Sequence, residues 1–299
     1  MVNDQSAPGA LACYSVSCVG FSHLKNGKPC QDYSAHFQDE ERVIVTACDG
    51  HGGAIYIRSE RGSRFASEAI CRVFGAIDKD SAVSKDQLRN DAIDKDSAVL
   101  EDPLRLLRVK LLCEWNDAVE KDLAQDPIRD EEIEALDEDQ RFRLRQNPFL
   151  AYGTTMHGAM ILGDRLFCAS IGDGGIFSVI NDTVSHLFQS EDEDTVANVT
   201  HSMCEEKAEK HLQVDVLDFT PEYDGILLCT DGTLNPYHSM TNFSNSFALP
   251  VFRKAREGHL EEVGQYMEKL GGEIGTGDDV SLAIAYRKQK QTKKPDNET

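Results

Sequence analysis

The chain has 299 residues, 40% of them apolar, enough to bury a sizeable core in one large domain or two small ones. A formal charge of −21 argues against a nucleic-acid binder and against docking on anionic lipid, since phosphate surfaces would repel it. Nine scattered cysteines without a C-x-x-C pair, no secretory leader pattern and no apolar run of membrane length read as reduced thiols in a soluble, cytoplasmic, monomeric protein.

Residues 11–21 alternate loosely and predict a first strand. Residues 22–32, S-H-L-K-N-G-K-P-C-Q-D, form a turn-rich loop with an acidic end. Strand character resumes over 32–37. The run R-V-I-V-T-A-C over 42–48 is a short, β-branched buried strand, stopped by Asp49-Gly50-His51-Gly52-Gly53. Two hairpin strands thus bring Asp32 and Asp49 to one rim. Gly62, Phe65, Ala66, Ala69, Ile70, Val73, Phe74 and Ile77 repeat at three and four, a helix suited to lie on a sheet. The octapeptide A-I-D-K-D-S-A-V at 76–83 recurs letter for letter at 92–99, the core of a 16-residue tandem duplication read as a surface expansion. Leu104, Leu107, Leu111, Trp115, Val119 and Leu123 mark a second helix. Residues 124–147 are strongly charged, part helical and solvent-facing, so that about 76–150 is an insertion in a single domain spanning 11–287. Residues 288–299 are a polar tail.

Beyond residue 153 the pattern turns to β. Strands are predicted at 153–162 and 165–170, then a hairpin, 176–180 and 183–188, across Asn181-Asp182. Residues 189–210 are a polar, acidic flap. Strands at 212–219 and 225–230, a helical stretch near 250–270 and a closing strand at 280–286 complete the chain. Asp49, Asp173, Asp231 and Asp278 each stand beside glycines where an apolar strand ends or begins. Carboxylates gathered in one cleft repel each other and lose hydration unless cations neutralise them. Hard divalent ions in oxygen shells, Mg²⁺ or Mn²⁺, do this, and no Cys/His set competes for a softer metal. A carboxylate bridging two such ions would lower the pKa of a water between them.

Asp49-Gly50-His51-Gly52-Gly53, Gly153-Thr154-Thr155, Ile171-Gly172-Asp173-Gly174, Thr230-Asp231-Gly232 and Gly277-Asp278-Asp279-Val280-Ser281 resemble, in order, the motifs of the metal-dependent protein phosphatases of the 2C type. Ser22-His23 through Cys30-Gln31-Asp32 is similar to a bacterial branch of that family. The resemblance covers roughly residues 11–287. It implies an α+β fold, two packed antiparallel sheets flanked by helix pairs. It also implies hydrolysis of phosphoserine and phosphothreonine in proteins, opposing a Ser/Thr kinase, by a water held between two Mn²⁺ or Mg²⁺ ions. Carried over by position, Asp49 bridges both ions and the Gly50 carbonyl binds one. Asp231 and Asp278 complete the shell of the other ion, Asp173 helps hold a weaker third ion, and His51 is the general acid. The chain departs from the family pattern at three places. Gln31 stands where many relatives carry an acid, so Asp32 reaches the second metal through water or that shell is thinner. Gly27 stands where an Arg grips the phosphate, leaving Lys28 or Lys25 as a point charge. Asn235 replaces an acid near the third ion. A catalytically silent phosphoprotein-binding module on the same scaffold and a small-molecule phosphoesterase are the alternatives.

Overall fold

The computed structural model describes residues 10–78, 103–188 and 200–288. Its strands are β1 (Leu11–Cys18), β2 (Tyr33–Gln38), β3 (Arg42–Cys48), β4 (Met156–Leu162), β5 (Arg165–Ile171), β6 (Gly175–Ile180), β7 (Thr183–His186), β8 (Gln213–Asp218), β9 (Tyr223–Cys229) and β10 (Val280–Arg287). They form two five-stranded antiparallel sheets, β1-β10-β9-β6-β7 and β2-β3-β4-β5-β8. The helices are α1 (Phe21–Lys25), α2 (Ser59–Gly75), α3 (Pro103–Gln125), α4 (Glu138–Gln146), α5 (Ala208–His211), α6 (Asp231–Leu234), α7 (Met240–Phe243), α8 (Leu249–Arg256) and α9 (Leu260–Gly271).

Strand periodicity explains the layers. On β3, Val43, Val45 and Ala47 face the other sheet, where they meet Ala283 and Ala285 of β10. Ile44 and Cys48 face outward under α2 and α3, packing with Ile70, Phe74, Leu111 and Trp115. On β10 the alternate residues Val280, Leu282, Ile284 and Tyr286 turn outward to Val251, Phe252, Val263 and Met267 of α8 and α9. A strand covered on both faces has no polar alternation, which is why β3 reads as a continuous apolar run. The predicted α+β sandwich with flanking helix pairs is the observed architecture.

Several elements differ from the sequence expectation. The loop after β1 contains α1, a turn and a half whose amides return to the Gly20 carbonyl. The single helical stretch expected near 250–270 is two helices, because Gly258 takes a left-handed φ of 87° between α8 and α9. The hairpin at Asn181-Asp182 does adopt the expected turn, with φ of 49° and 59°, the pair of positive values that matches strand twist. The charged stretch 124–147 is less solvent-facing than its composition suggests, for Ile133, Leu136 and Leu144 are buried. Its anchor is Arg58, at the start of α2. The guanidinium donates to Glu132 at 3.0 and 2.9 Å, to the Asp126 carbonyl at 2.6 Å and to the Tyr152 hydroxyl at 2.9 Å. The second octapeptide copy, most of the first, the flap over 189–199 and the tail beyond Lys288 lie outside the described residues. No helix among the described residues is long and apolar enough to cross a membrane.

Candidate metal centre and active site

Antiparallel pairing decides which strand ends meet. Tyr33 lies opposite Cys48, so the residues just outside that pair, Asp32 before β2 and Asp49 after β3, come side by side. In the other sheet Cys229 lies opposite both Leu282 and Gly175. Asp231 follows β9, Asp278 and Asp279 precede β10, and Asp173 precedes β6, so all four emerge at one end of that sheet. The two ends share a cavity of about 240 Å³ lined by Asp32, Asp49, Asp173, Asp231, Asp278 and Asp279. His23, Gln31, Gly50, His51, Gly52 and Thr200 complete its lining.

Carboxylate oxygens of Asp49, Asp173 and Asp231 all lie within 4.8 Å of one another. Asp278 lines the same cavity outside that tightest group, with its backbone amide held by Thr276. Among the described residues that line the cavity there is neither Lys nor Arg to neutralise these charges. Burial raises the Asp49 carboxyl well above the usual range, and the neighbouring Asp32 and Asp231 raise it further. Asp32 is pushed up by burial in the same way, although the Thr230 hydroxyl donates to it at 2.7 Å. Desolvation lowers His51, outweighing the opposite pull of Asp173, Glu205 and Asp231.

The turn carrying Asp49 and His51 is held from several sides. The Asp49 amide donates to Thr155 Oγ1 at 2.9 Å, and the Asp49 carbonyl accepts from the Thr155 amide and from Thr154 Oγ1, each at 2.8 Å. That explains the Gly153-Thr154-Thr155 motif: it braces the turn rather than reaching the cavity. Gly50 has no room for a side chain, since a Cβ there would meet the Gln31 carbonyl oxygen at 2.5 Å and that of Ser59 at 2.7 Å. His51 packs edge-on against Tyr56 with ring centres 4.9 Å apart.

The structure brings Asp32, Asp49, Gly50, His51, Asp173, Asp231 and Asp278 together. Lys28 is exposed and does not line the cavity. Asp279, His23 and Thr200, assigned no role from the sequence, also line it. Asp279, 5% exposed, accepts from the Gly20 amide at 2.6 Å, the Gln31 amide at 2.6 Å and His23 Nδ1 at 2.9 Å, tying the loop before β2 to the start of β10. These bonds separate its role from that of Asp278, its neighbour in sequence. Thr200 donates to Asp173 at 2.5 Å, and Asn235 to Asp231 at 3.1 Å, so Asn235 orients a carboxylate rather than adding one.

A donor set of carboxylates and main-chain carbonyls without a cationic partner fits hard divalent ions. Burial pushes the nearby thiols of Cys30, Cys48 and Cys229 up, so no thiolate competes. The Gln31 side-chain oxygen, buried on the cavity wall and without a hydrogen-bond partner, is a further unused oxygen donor.

A family model described as protein phosphatase 2C matches residues 19–269. No curated protein matches the sequence. Among solved structures, a bacterial serine phosphatase is similar with a TM-score of 0.54 at 17% identity, over 94% of this chain and 99% of that one. The catalytic domain of the serine/threonine phosphatase PstP, in complex with two manganese ions, gives 0.51 at 14% identity, over 93% and 99%. PppA of Pseudomonas aeruginosa gives 0.52 at 15% identity, over 93% and 97%. Those likenesses speak for the fold, whereas the family match runs from the end of β1 into α9. On that match the chain belongs to the protein phosphatase 2C family.

Proposed function

We propose that the protein is a metal-dependent serine/threonine phosphatase that hydrolyses phosphoserine and phosphothreonine in protein substrates, opposing a Ser/Thr kinase, as a cytoplasmic monomer. One observation carries the reading: carboxylates from both sheets converge on one cavity with no side-chain cation among the lining residues to balance them. Mn²⁺ or Mg²⁺, bound as a pair, would neutralise the substrate phosphate and lower the pKa of the water they share. The PstP domain holding two manganese ions supports that stoichiometry.

In this reading Asp49 would bridge the pair, the Gly50 carbonyl would contribute to the shell of one ion, and Asp231 and Asp278 would complete that of the other. Asp32 and Gln31 face the second ion, and Asp173 serves a weaker third. Thr230 and Asn235 turn the Asp32 and Asp231 carboxylates. His51 donates the proton to the departing seryl or threonyl oxygen. Burial lowers the basicity of its imidazole in the free enzyme; the phosphate of a docked substrate adds the negative charge that favours its protonation. Lys28 is exposed and absent from the lining, so in this reading the phosphate contact passes to His23, which lines the cavity and is oriented by Asp279.

Phosphate release from a phosphothreonine peptide tests the reading. Mn²⁺-dependent, chelator-sensitive turnover is expected. Turnover of nucleotides in preference to the peptide would favour the small-molecule phosphoesterase, and no turnover of either a silent binding module.

A further inference from the structure

A second group of metal-ligand side chains stands outside the carboxylate cavity. His201, Glu205 and His211 each offer a ligand atom within 4.8 Å of the other two. His201 lies next to Thr200, Glu205 four residues on, and His211 ends α5. The carboxylate is already aimed: one Glu205 oxygen accepts from the Ser202 amide at 3.2 Å, and the other lies 3.2 Å from His201 Nδ1. The two imidazoles stack almost face to face, with centres 3.5 Å apart and planes 12° from parallel. Ring pairs prefer offset or edge-on arrangements to such a sandwich, and two protonated imidazoles would repel. The stack therefore needs something else to hold the rings together. His201 and Glu205 keep side-chain exposures of 40% and 34%, so an ion could enter and retain water. None of the three lines the catalytic cavity, and phosphate hydrolysis as derived above uses none of them.

We propose that His201, Glu205 and His211 bind one divalent ion of the zinc class, at a site separate from the oxygen-lined centre. Two imidazoles and a carboxylate, with water in the remaining position, are the donor set that suits such an ion; Mg²⁺ has little affinity for imidazole. Parallel rings cannot both direct a lone pair at one point, so binding turns one imidazole about its Cβ–Cγ bond. The ion would clip α5 to the segment that leaves the cavity through Thr200. That segment is itself anchored, by Thr200 to Asp173 at 2.5 Å, the Met203 amide to the Thr154 carbonyl at 2.9 Å and the Thr154 amide to Ser202 Oγ at 3.1 Å, so the ion would tie α5 to a fixed strap.

Co²⁺ is the probe, titrated into the full-length Asp49→Asn protein with excess Mg²⁺, so that the catalytic centre does not contribute. One equivalent is expected, with ligand-field absorption of a low-symmetry nitrogen and oxygen site and no sulfur-to-cobalt charge-transfer band. Zn²⁺ should displace it. Adding Glu205→Gln, which preserves an acceptor for the Ser202 amide, or His211→Ala should weaken Co²⁺ binding at least about tenfold. X-ray absorption of the bound ion should show imidazole scattering that halves in intensity when His211→Ala is loaded at high concentration. Absence of stoichiometric Co²⁺ binding in the Asp49→Asn protein would overturn the proposal. So would equal affinity in the Glu205→Gln double variant, or a sulfur ligand in the absorption spectrum.

Discussion

Asp49 is the residue on which the chemistry converges, because it ends a strand buried on both faces and points its carboxylate at the neighbouring Asp231 and Asp173. Asp49→Asn keeps the shape and removes the charge. Phosphatase turnover should fall at least about a thousandfold, the scale of removing a central electrostatic element, with an unchanged circular dichroism spectrum. Asp32 allows a stability test in the opposite direction. Its carboxyl is pushed from 3.8 up to about 7 by burial, with the Asp279 charge adding to the rise against the hydrogen bonds from Thr230 and Asp49. A folded value above the unfolded one gives stability that is fully present below pH about 4 and lost as pH rises through about 7. Asp32→Asn removes that loss while still accepting the Thr230 hydroxyl. In chelator, the variant should therefore unfold at higher urea than wild type at pH 8, by roughly 2–4 kcal/mol, with the gap closing towards pH 4. With saturating Mn²⁺ the order should reverse, since only wild type gains full binding energy. A wild type more stable than the variant in chelator at pH 8 would contradict this. Asp49, Asp173, Asp231 and Asp278 were legible because each breaks an apolar strand beside glycine. Asp279 and His23 were not: their importance lies in hydrogen bonds between residues more than 240 positions apart, which no local pattern encodes.

At the scale of elements, β3 was read to the residue, because a run buried on both faces has sharp polar ends. The break between α8 and α9 was hidden, because Gly258 interrupts a period that resumes on the same face. The stretch 124–147 misled through its charge. A buried arginine can hold a cluster of acids that composition alone assigns to solvent. Arg58 is 1% exposed and bridges α2 to Glu132, Asp126 and Tyr152. Arg58→Ala would remove the two-pronged donor to Glu132 and leave that carboxylate only Arg129, so it should cost about 3–5 kcal/mol in urea unfolding, while Mn²⁺-dependent turnover at low temperature stays near wild type. A loss under 1 kcal/mol would mean that the stretch is held by its apolar contacts alone.

For the whole molecule, two sheets joined face to face bring strand ends from both to one cavity, and the chain carries a net charge of −21. An acidic surface attracts substrates flanked by Lys and Arg. Phosphopeptides with basic flanks should show a higher kcat/KM than acidic ones, with the advantage shrinking as salt rises from low ionic strength to about 0.5 M. Peptides of either sign turned over equally at low salt would show that the surface field plays no part in selection. Anomalous diffraction from crystals grown with Mn²⁺ shows whether Asp49, Asp231 and Asp278 hold ions jointly. Two manganese peaks bridged by the Asp49 carboxylate are predicted. A map with no manganese within coordination distance of Asp49 would contradict the account.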